Sequence, residues 1–378
     1  MKKSIFYIAA GLMLAACSHK DYVIEVSNNL DFDRNQELIS VDLKASQIGR
    51  LTDSEGNDVA YQATENGIVF QASVAANSTA TYSLSVTEPS TAQAPVKTSA
   101  FFLGNRRKDD FAFENDKAGY RMYGPALLNE NPSNGVDLWL KHVENPIMDE
   151  MYKQEEGGKP YHIDWGYGLD SYKVGHAVGC GGVAIVYNDK AWVGGPYSRW
   201  EILQEGPLQT IFRLDYDSIL VGESILHESI VITVNAGAQV NKAEVTFYGE
   251  GVDYLKVGGG IFLHDEIANL KVGKDYIAYA ESATSDKGIY GVHASAGIDA
   301  TTLDFGRNYV AVIVPEMENA QQFDITELAL RSYKLGETFT YYFGGGWSKR
   351  DFRTDEEWFE ATSKTAQAIA SPLSVVVK

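Results

Sequence analysis

Cysteine is nearly missing from this chain: Cys17 and Cys180 are the two among 378 residues. A disulfide framework is thereby excluded, and stability has to come from a buried core, which a chain of this length builds readily. Basic charge is also short. Lys and Arg number 32 against 51 Asp and Glu, a formal net charge of −19. Such a surface repels nucleic acid and anionic membranes, so no nucleic-acid partner is expected. Beyond the first residues no apolar run is long enough to span a bilayer. Gly-x-Ser-x-Gly, His-Glu-x-x-His and a phosphate loop do not occur, so esterase, zincin and nucleotide-binding readings have no support.

What is there begins with Met1-Lys2-Lys3, an apolar stretch over residues 5–16, and Leu14-Ala15-Ala16-Cys17 at its end. Two lysines before a short apolar run, with small residues before a cysteine, read as a lipoprotein signal. Residues 1–16 are expected to be removed and Cys17 to carry lipid. The body would then be anchored to a membrane, in the periplasm or at the cell surface, with its charge at −21 once Lys2 and Lys3 leave.

Strand signals dominate the rest. Tyr22-Val23-Ile24-Glu25-Val26, Leu38-Ile39-Ser40-Val41-Asp42-Leu43, Ile68-Val69-Phe70 and Ala80-Thr81-Tyr82-Ser83-Leu84-Ser85-Val86 are β-branched or alternating. Turn residues punctuate them. They predict a small β-sandwich over 17–87. A Pro/Ala/Ser/Thr-rich linker over 88–98 follows, then a strand-rich body over 99–378. Twenty-two tyrosines and 35 glycines suit closely packed antiparallel sheets. One helix is expected near the C-terminus, capped by Thr354 and running to about Ala370. The fold class is therefore all-β: a small sandwich, then a large antiparallel supersandwich of the galactose-mutarotase-like kind, with a jelly roll second.

Polar residues concentrate in two stretches. The first runs from Asn105 through Arg106, Arg107, Asp110, Glu114, Asn115, Arg121 and Tyr123. Alternation puts Ala118, Tyr120 and Met122 on a core face. Lys117, Gly119, Arg121 and Tyr123 fall on the opposite one, which lines a cleft or is a solvated edge. The second, residues 161–182, packs His162, Asp164, Trp165, Tyr167, Asp170, Tyr172, His176 and Cys180 among glycines. Loops of this composition build binding sites: Trp165 and the tyrosines stack on sugar rings, and His162 serves as an acid or base. No cofactor is demanded. A divalent metal, zinc or calcium, is left open by His162-x-Asp164 and His176-x-x-x-Cys180, although a free Cys is more often a small hydrophobe. Gly344-Gly345-Gly346-Trp347 is either a wall of the cleft or a flexible turn. His142, His227, His264 and His293 sit in unremarkable contexts.

Arg107-Lys108-Asp109-Asp110-Phe111-Ala112-Phe113-Glu114-Asn115-Asp116, Arg121-Met122-Tyr123-Gly124-Pro125, Gly135-Val136-Asp137-Leu138-Trp139, Tyr161-His162-x-Asp164, Gly168-Leu169-Asp170-x-Tyr172-Lys173 and Gly179-Cys180-Gly181-Gly182 together resemble one family over residues 101–378. It comprises exported proteins with a domain of unknown function, associated with polysaccharide-utilisation systems, and includes an ulvan oligosaccharide dehydratase. Phe113 stands where the family pattern has Trp, and Lys117 where it has Arg. The resemblance implies a lyase or dehydratase that eliminates water, or a sugar, from the non-reducing terminal uronic acid of an oligosaccharide, leaving a 4,5-unsaturated uronate. That chemistry needs a neutralised carboxylate, a base for the C5 proton and an acid for the leaving oxygen. Arg107 and Arg121 are expected on the carboxylate, His162 as base or acid, and Tyr167 or Tyr172 as its complement. Arg106, Asp110, Glu114, Asn115, Tyr123, Asp164, Trp165, Asp170, His176 and Trp347 are expected around the substrate. A glycoside hydrolase using Glu114 with Asp164 or Asp170, and a glycan-binding lipoprotein without catalysis, are the alternatives.

Overall fold

The computed structural model describes residues 21–378 apart from Asn131, Asp253 and the segment 265–268. The expected leader and Cys17 lie outside the described residues.

Period-two burial builds the sheets. Along Ser224–Asn235 the inward row is Leu226, Glu228, Ile230, Ile232 and Val234, with every intervening residue at least partly exposed. Repeated across neighbours, this pattern makes an eight-stranded antiparallel sheet. Its order is Arg199–Gln204, Gln209–Val221, Ser224–Asn235, Val240–Gly249, Thr338–Trp347, Arg307–Ile313, Tyr276–Ser282, Leu270–Val272. Two five-stranded sheets face it. One runs Gly168–Asp170, Asp137–Lys141, Ala118–Met122, Phe111–Glu114, Ser99–Phe102, and the other Lys190–Val193, Val183–Tyr187, Tyr254–Phe262, Thr326–Lys334, Asn319–Phe323. A single apolar core spans all three, from Phe113 and Tyr120 through Phe212 and Val245 to Val310 and Phe343. Each such side chain contributes ~1.5–3 kcal/mol by leaving water. This is the expected all-β supersandwich.

The N-terminal strands form a smaller sandwich with its own core of Ile24, Val41, Ile68, Phe70 and Leu84. Its three-stranded sheet is Arg34–Asp42, Gly67–Val74, Tyr61–Thr64, and its four-stranded sheet is Ser374–Val377, Tyr22–Asn28, Ser78–Ser85, Arg50–Thr52. The last strand of the chain thus pairs with the first, Ile24 opposite Val377. The large body ends before residue 378, and the small sandwich is assembled from both ends.

Three helices occur among the described residues where the sequence predicts one. α3 (Asp355–Ala370) is the predicted helix, its Thr354 side chain accepting from Glu357 N–H. α1 (Met148–Glu156) and α2 (Ile289–Ser295) were not expected. The three-glycine run is neither cleft wall nor loose turn. It lies within Thr338–Trp347, where a Cβ on Gly344 would stand 2.2 Å from the Gln239 carbonyl. No helix among the described residues is long and apolar enough to cross a membrane.

Candidate functional site

The site lies on the outer face of the five-stranded sheet that includes Asp137–Lys141. In that strand Leu138 and Leu140 enter the main core, so Asp137, Trp139 and Lys141 face outward. Gly119 and Arg121 lie on the same face, opposite Trp139 and Asp137 in register. The predicted split therefore holds for Gly119 and Arg121 against Ala118, Tyr120 and Met122, whereas Tyr123 packs into the main core; and the outer face is covered, since α1 lies across it. A Cβ on Gly119 would come within 2.5 Å of Met148 Sδ, so that glycine makes room for the helix and not for a ligand.

At one end of this face sits a closed ion pair. Lys141 Nζ donates to Glu114 at 2.5 Å and to the carbonyls of Asn115 and Asn145. Glu114 also accepts from Ile147 and Met148 N–H at the start of α1. At the other end Arg121 meets three carboxylates. It lies 2.6 Å from Asp137, 3.0 Å from Asp170 and 3.4 Å from Asp110, and donates to Tyr161 Oη at 3.2 Å. The rings of Tyr123, Trp139 and Tyr161 surround its guanidinium at 5.2–5.6 Å. Burial pushes Asp110 and Asp170 up to about 6 and Asp137 up to about 7, against the pull of Arg121. One buried cation does not hold three buried anions ionised together. Arg107 approaches from the mouth, its Nε 3.8 Å from Asp110 and its side chain 42 % exposed. It rides on a loop in which Lys108 and Asp109 both adopt left-handed backbone, φ +34° and +61°.

His162 stands beside this cluster. Its Nδ1 donates to the Asp170 carbonyl at 2.9 Å, which fixes the tautomer and leaves Nε2 as the lone-pair nitrogen. Burial lowers its pKa from the usual histidine value, so the ring is neutral at physiological pH. Its side chain keeps 22 % exposure, a path to solvent and substrate. Two residues past Asp170, the Tyr172 ring meets His264 edge-on at 5.0 Å, and His264 Nδ1 lies 2.8 Å from Glu281. Burial holds the Tyr172 hydroxyl well above the usual tyrosine range, so it stays a proton donor. Among the described residues, the buried atoms Arg107 Nε, Asp110 Oδ1, Arg121 Nε, Asp170 Oδ1, Ser171 Oγ and Tyr172 Oη have no hydrogen-bond partner. Native proteins rarely leave such groups unpaired, and a cluster of them marks where water or ligand atoms complete the network.

The structure brings Arg107, Asp110, Arg121, Tyr123, His162 and Asp170 into one neighbourhood, with Tyr172 two residues past Asp170 but packed in the main core, and the expected role of Arg121 changes. Its terminal nitrogens are spent on protein carboxylates, which leaves Arg107 as the cation open to an anion. Glu114 and Asn115 are structural. Glu114 is consumed by Lys141 and α1, and Asn115 Nδ2 donates to the carbonyls of Asn235 and Ala238. The hydrolase pairing built on Glu114 falls with it. Arg106 turns away to Asp149 and Glu156 on α1. Tyr167 packs against the cluster under α1. Trp165 lies on the surface, 39 % exposed, its Nε1 on the Pro160 carbonyl. His176 is exposed while Cys180 is buried in the main core, its thiol pushed up by burial, so the two do not form a metal pair. His162 and Asp164 diverge as well, Asp164 pairing with His142 at 2.8 Å. Among the described residues no group of three or more His, Cys, Asp or Glu is arranged to hold a metal. Asp137, Tyr152 and the His264–Glu281 pair were missed. Asp137 alone had a signal: an acid between apolar neighbours in a strand, in register with Arg121.

Comparison with known proteins adds three findings. Residues 26–375 match a protein family described as "Domain of unknown function (DUF4861)". The match begins at residue 26, not near residue 101, so the small sandwich is part of the family's common body. The chain is 26% identical over 413 residues to the uncharacterized protein P7 of Formosa agariphila, covering 99% of this chain and 98% of that protein. Among solved structures it resembles a protein in glycosyl hydrolase family 38 from Enterococcus faecalis, with a TM-score of 0.56, 9% identity and 95% of this chain covered. The chain spans 47% of that protein's length. At this identity the likeness concerns the fold alone.

Proposed function

We propose that this chain, which belongs to the DUF4861 family, is a carbohydrate-active carbon–oxygen lyase that eliminates water from the non-reducing terminal uronic acid of an oligosaccharide. The observation that carries this reading is the His162 imidazole, neutral and locked with Nε2 free, near the half-exposed guanidinium of Arg107, whose one ion pair, to Asp110, is long at 3.8 Å. Arg107 binds the substrate carboxylate and draws off charge, which acidifies the C5 proton. His162 Nε2 takes that proton. The electrons form the C4–C5 double bond, and the 4-hydroxyl departs as water with a proton from the Tyr172 hydroxyl. Arg121, Asp137 and Asp110 do not touch substrate in this scheme. They anchor Asp170, whose carbonyl orients His162. Support of a coarser kind comes from the glycosyl hydrolase family 38 protein, a carbohydrate enzyme by name, on a similar fold. The leader sequence adds a lipid anchor at Cys17 and a place in the periplasm or at the cell surface.

The test is incubation with a panel of uronate-terminated oligosaccharides, followed by ultraviolet absorbance in the band of an unsaturated uronate and by mass. Rising absorbance with a product lighter by one water is the expected result. Release of reducing sugar without absorbance would replace the lyase by a hydrolase, and saturable binding without any product would replace it by a glycan-binding protein.

A further inference from the structure

A cleft of about 370 Å³ lies at the seam between the small sandwich and the large body, with Asn35, Gln36, Gln239, Tyr342 and Thr365 in its wall. Tyr341 and Phe343 enter the main core, so Tyr342 stands on the outward face of the eight-stranded sheet, opposite Lys242 in register. His162 and Arg107 belong to the outward face of the five-stranded sheet on the other side of that core. Two sheet layers, ~10 Å apart, therefore separate this cleft from the candidate active site.

The small-sandwich wall is built to a definite shape. Arg34 stands opposite Val74 and Glu37 opposite Ala72, so the strand Arg34–Asp42 carries one extra residue between them, a β-bulge. Gln36 in the bulge has left-handed backbone, φ +51°, which residues other than Gly, Asn and Asp seldom adopt. It is held from both sides. Its N–H donates to Ser73 Oγ at 3.0 Å, and its carbonyl accepts from Gln71 Nε2 at 2.9 Å. Gly237 of the large body leaves room for the same carbonyl, since a Cβ there would stand 2.8 Å from it. A bulge re-aims side chains, and this one leaves Asn35 and Gln36, two consecutive carboxamides, both exposed. Arg34 fixes the bulge to the end of α3: 4 % exposed, it donates to both carboxylate oxygens of Glu37 and to the Ser371 carbonyl.

The chemistry of the wall selects its ligand. Tyr342 is partly buried and shares an apolar cluster with Val240 and Ile369, which gives the cleft an apolar side. Gln239 Nε2 is spent on the Gly345 carbonyl at 2.6 Å, which leaves its Oε1 as an acceptor. The charged residues of the wall are neutralised, Arg34 and Glu37 by each other and Lys242 by Glu244 at 2.8 Å. Carboxamides beside a tyrosine, with no unspent charge, suit an uncharged polyhydroxylated ring: an apolar C–H face to pack and adjacent hydroxyls that both donate and accept. We propose that this cleft is a second carbohydrate-binding site, specific for a neutral sugar and independent of the candidate active site. Asn35 and Gln36 bond neighbouring hydroxyls, and Tyr342 packs against the ring. Nothing in this site depends on the elimination at His162.

The experiment titrates the full chain by calorimetry with methyl glycosides of neutral hexoses, deoxyhexoses and pentoses at millimolar concentration, with a methyl uronoside as the anionic control. Saturable binding of at least one neutral glycoside is the expected result. Gln36→Gly deletes the amide and also relieves the left-handed backbone, so the fold is retained. That variant and Asn35→Ala should each weaken the binding about five- to tenfold, the loss expected for one or two hydrogen bonds, whereas His162→Gln should leave it unchanged. Failure of every neutral glycoside to bind would overturn the site. So would binding that both Gln36→Gly and Asn35→Ala leave unaltered. Binding lost in His162→Gln would move the sugar to the candidate active site and remove this one.

Discussion

The two ends of one sheet face hold the two densest charge clusters near the site, and they differ in one respect. The Glu114–Lys141 end contains one anion and one cation, each nearly fully buried, with backbone donors and acceptors closing the remaining valences. The Arg121 end contains three carboxylates around one buried cation, a second cation reaching in from solvent, and several buried polar atoms still without partners. Both read alike in sequence, as acids and bases alternating with apolar residues. Burial does not separate them either. Satisfaction does: a closed network fixes α1 on the sheet, whereas an open one retains chemistry to offer a ligand.

The sharpest way to break this contrast is at His162. Gln at that position can still donate to the Asp170 carbonyl, so the loop keeps its bond while the basic nitrogen is lost. Turnover on the responsive oligosaccharide should fall ~10³-fold, within the usual range for a general base, with little change in melting temperature. Activity within tenfold of the natural protein would remove His162 from the chemistry. At the other end the expected outcome is inverted. Lys141→Met leaves Glu114 as an uncompensated buried anion and should cost ~3–5 kcal/mol of stability, measured by denaturant unfolding. The folded fraction should retain kcat within a factor of about three, and a larger fall would show that the closed end serves the reaction too.

The sequence made much of this visible, and its failures have a common cause. Strand periodicity located the sheets because burial on one face is a local, period-two property, and Thr354 with Glu357 announced α3. α1 escaped because Ile147-Met148-Asp149-Glu150-Met151-Tyr152 mixes apolar and acidic residues with no side-chain cap at its N-cap; its cap is Glu114, distant in sequence. The same non-locality explains the site. Residue type marked Arg121 and Glu114 equally, and only tertiary pairing shows that one is enclosed by carboxylates and rings and the other by a lysine and two amides. His142 looked unremarkable because its partner Asp164 and its neighbour Trp347 lie far away along the chain. The joining of the last strand to the first is non-local in the extreme, since nothing near Ser374 or Tyr22 encodes it.

The smallest expected effect sharpens the comparison through pH. Asp137, raised by burial to about 7 from an ordinary value of 3.8, keeps a proton in the folded protein that the unfolded chain has already released. Between about pH 4 and pH 7 the native state therefore binds more protons than the unfolded state, and this group's contribution to stability falls as pH rises through that window. Asp137→Asn removes the titration but keeps an oxygen for Arg121 Nη2 and for Trp139 Nε1, which lie 2.6 and 3.1 Å from the native carboxylate. Asp110 and Asp170, freed of a like-charged neighbour, then ionise more readily against Arg121 and recover part of the difference, because the three carboxyls titrate as a set. The variant should accordingly gain on the natural protein by only ~1 kcal/mol between pH 5 and pH 8, a shift of a few degrees in melting temperature. A difference that stays flat between pH 5 and pH 8 would mean that Asp137 holds no extra proton in the folded protein, and the distinction of the open cluster would have to rest on His162 alone.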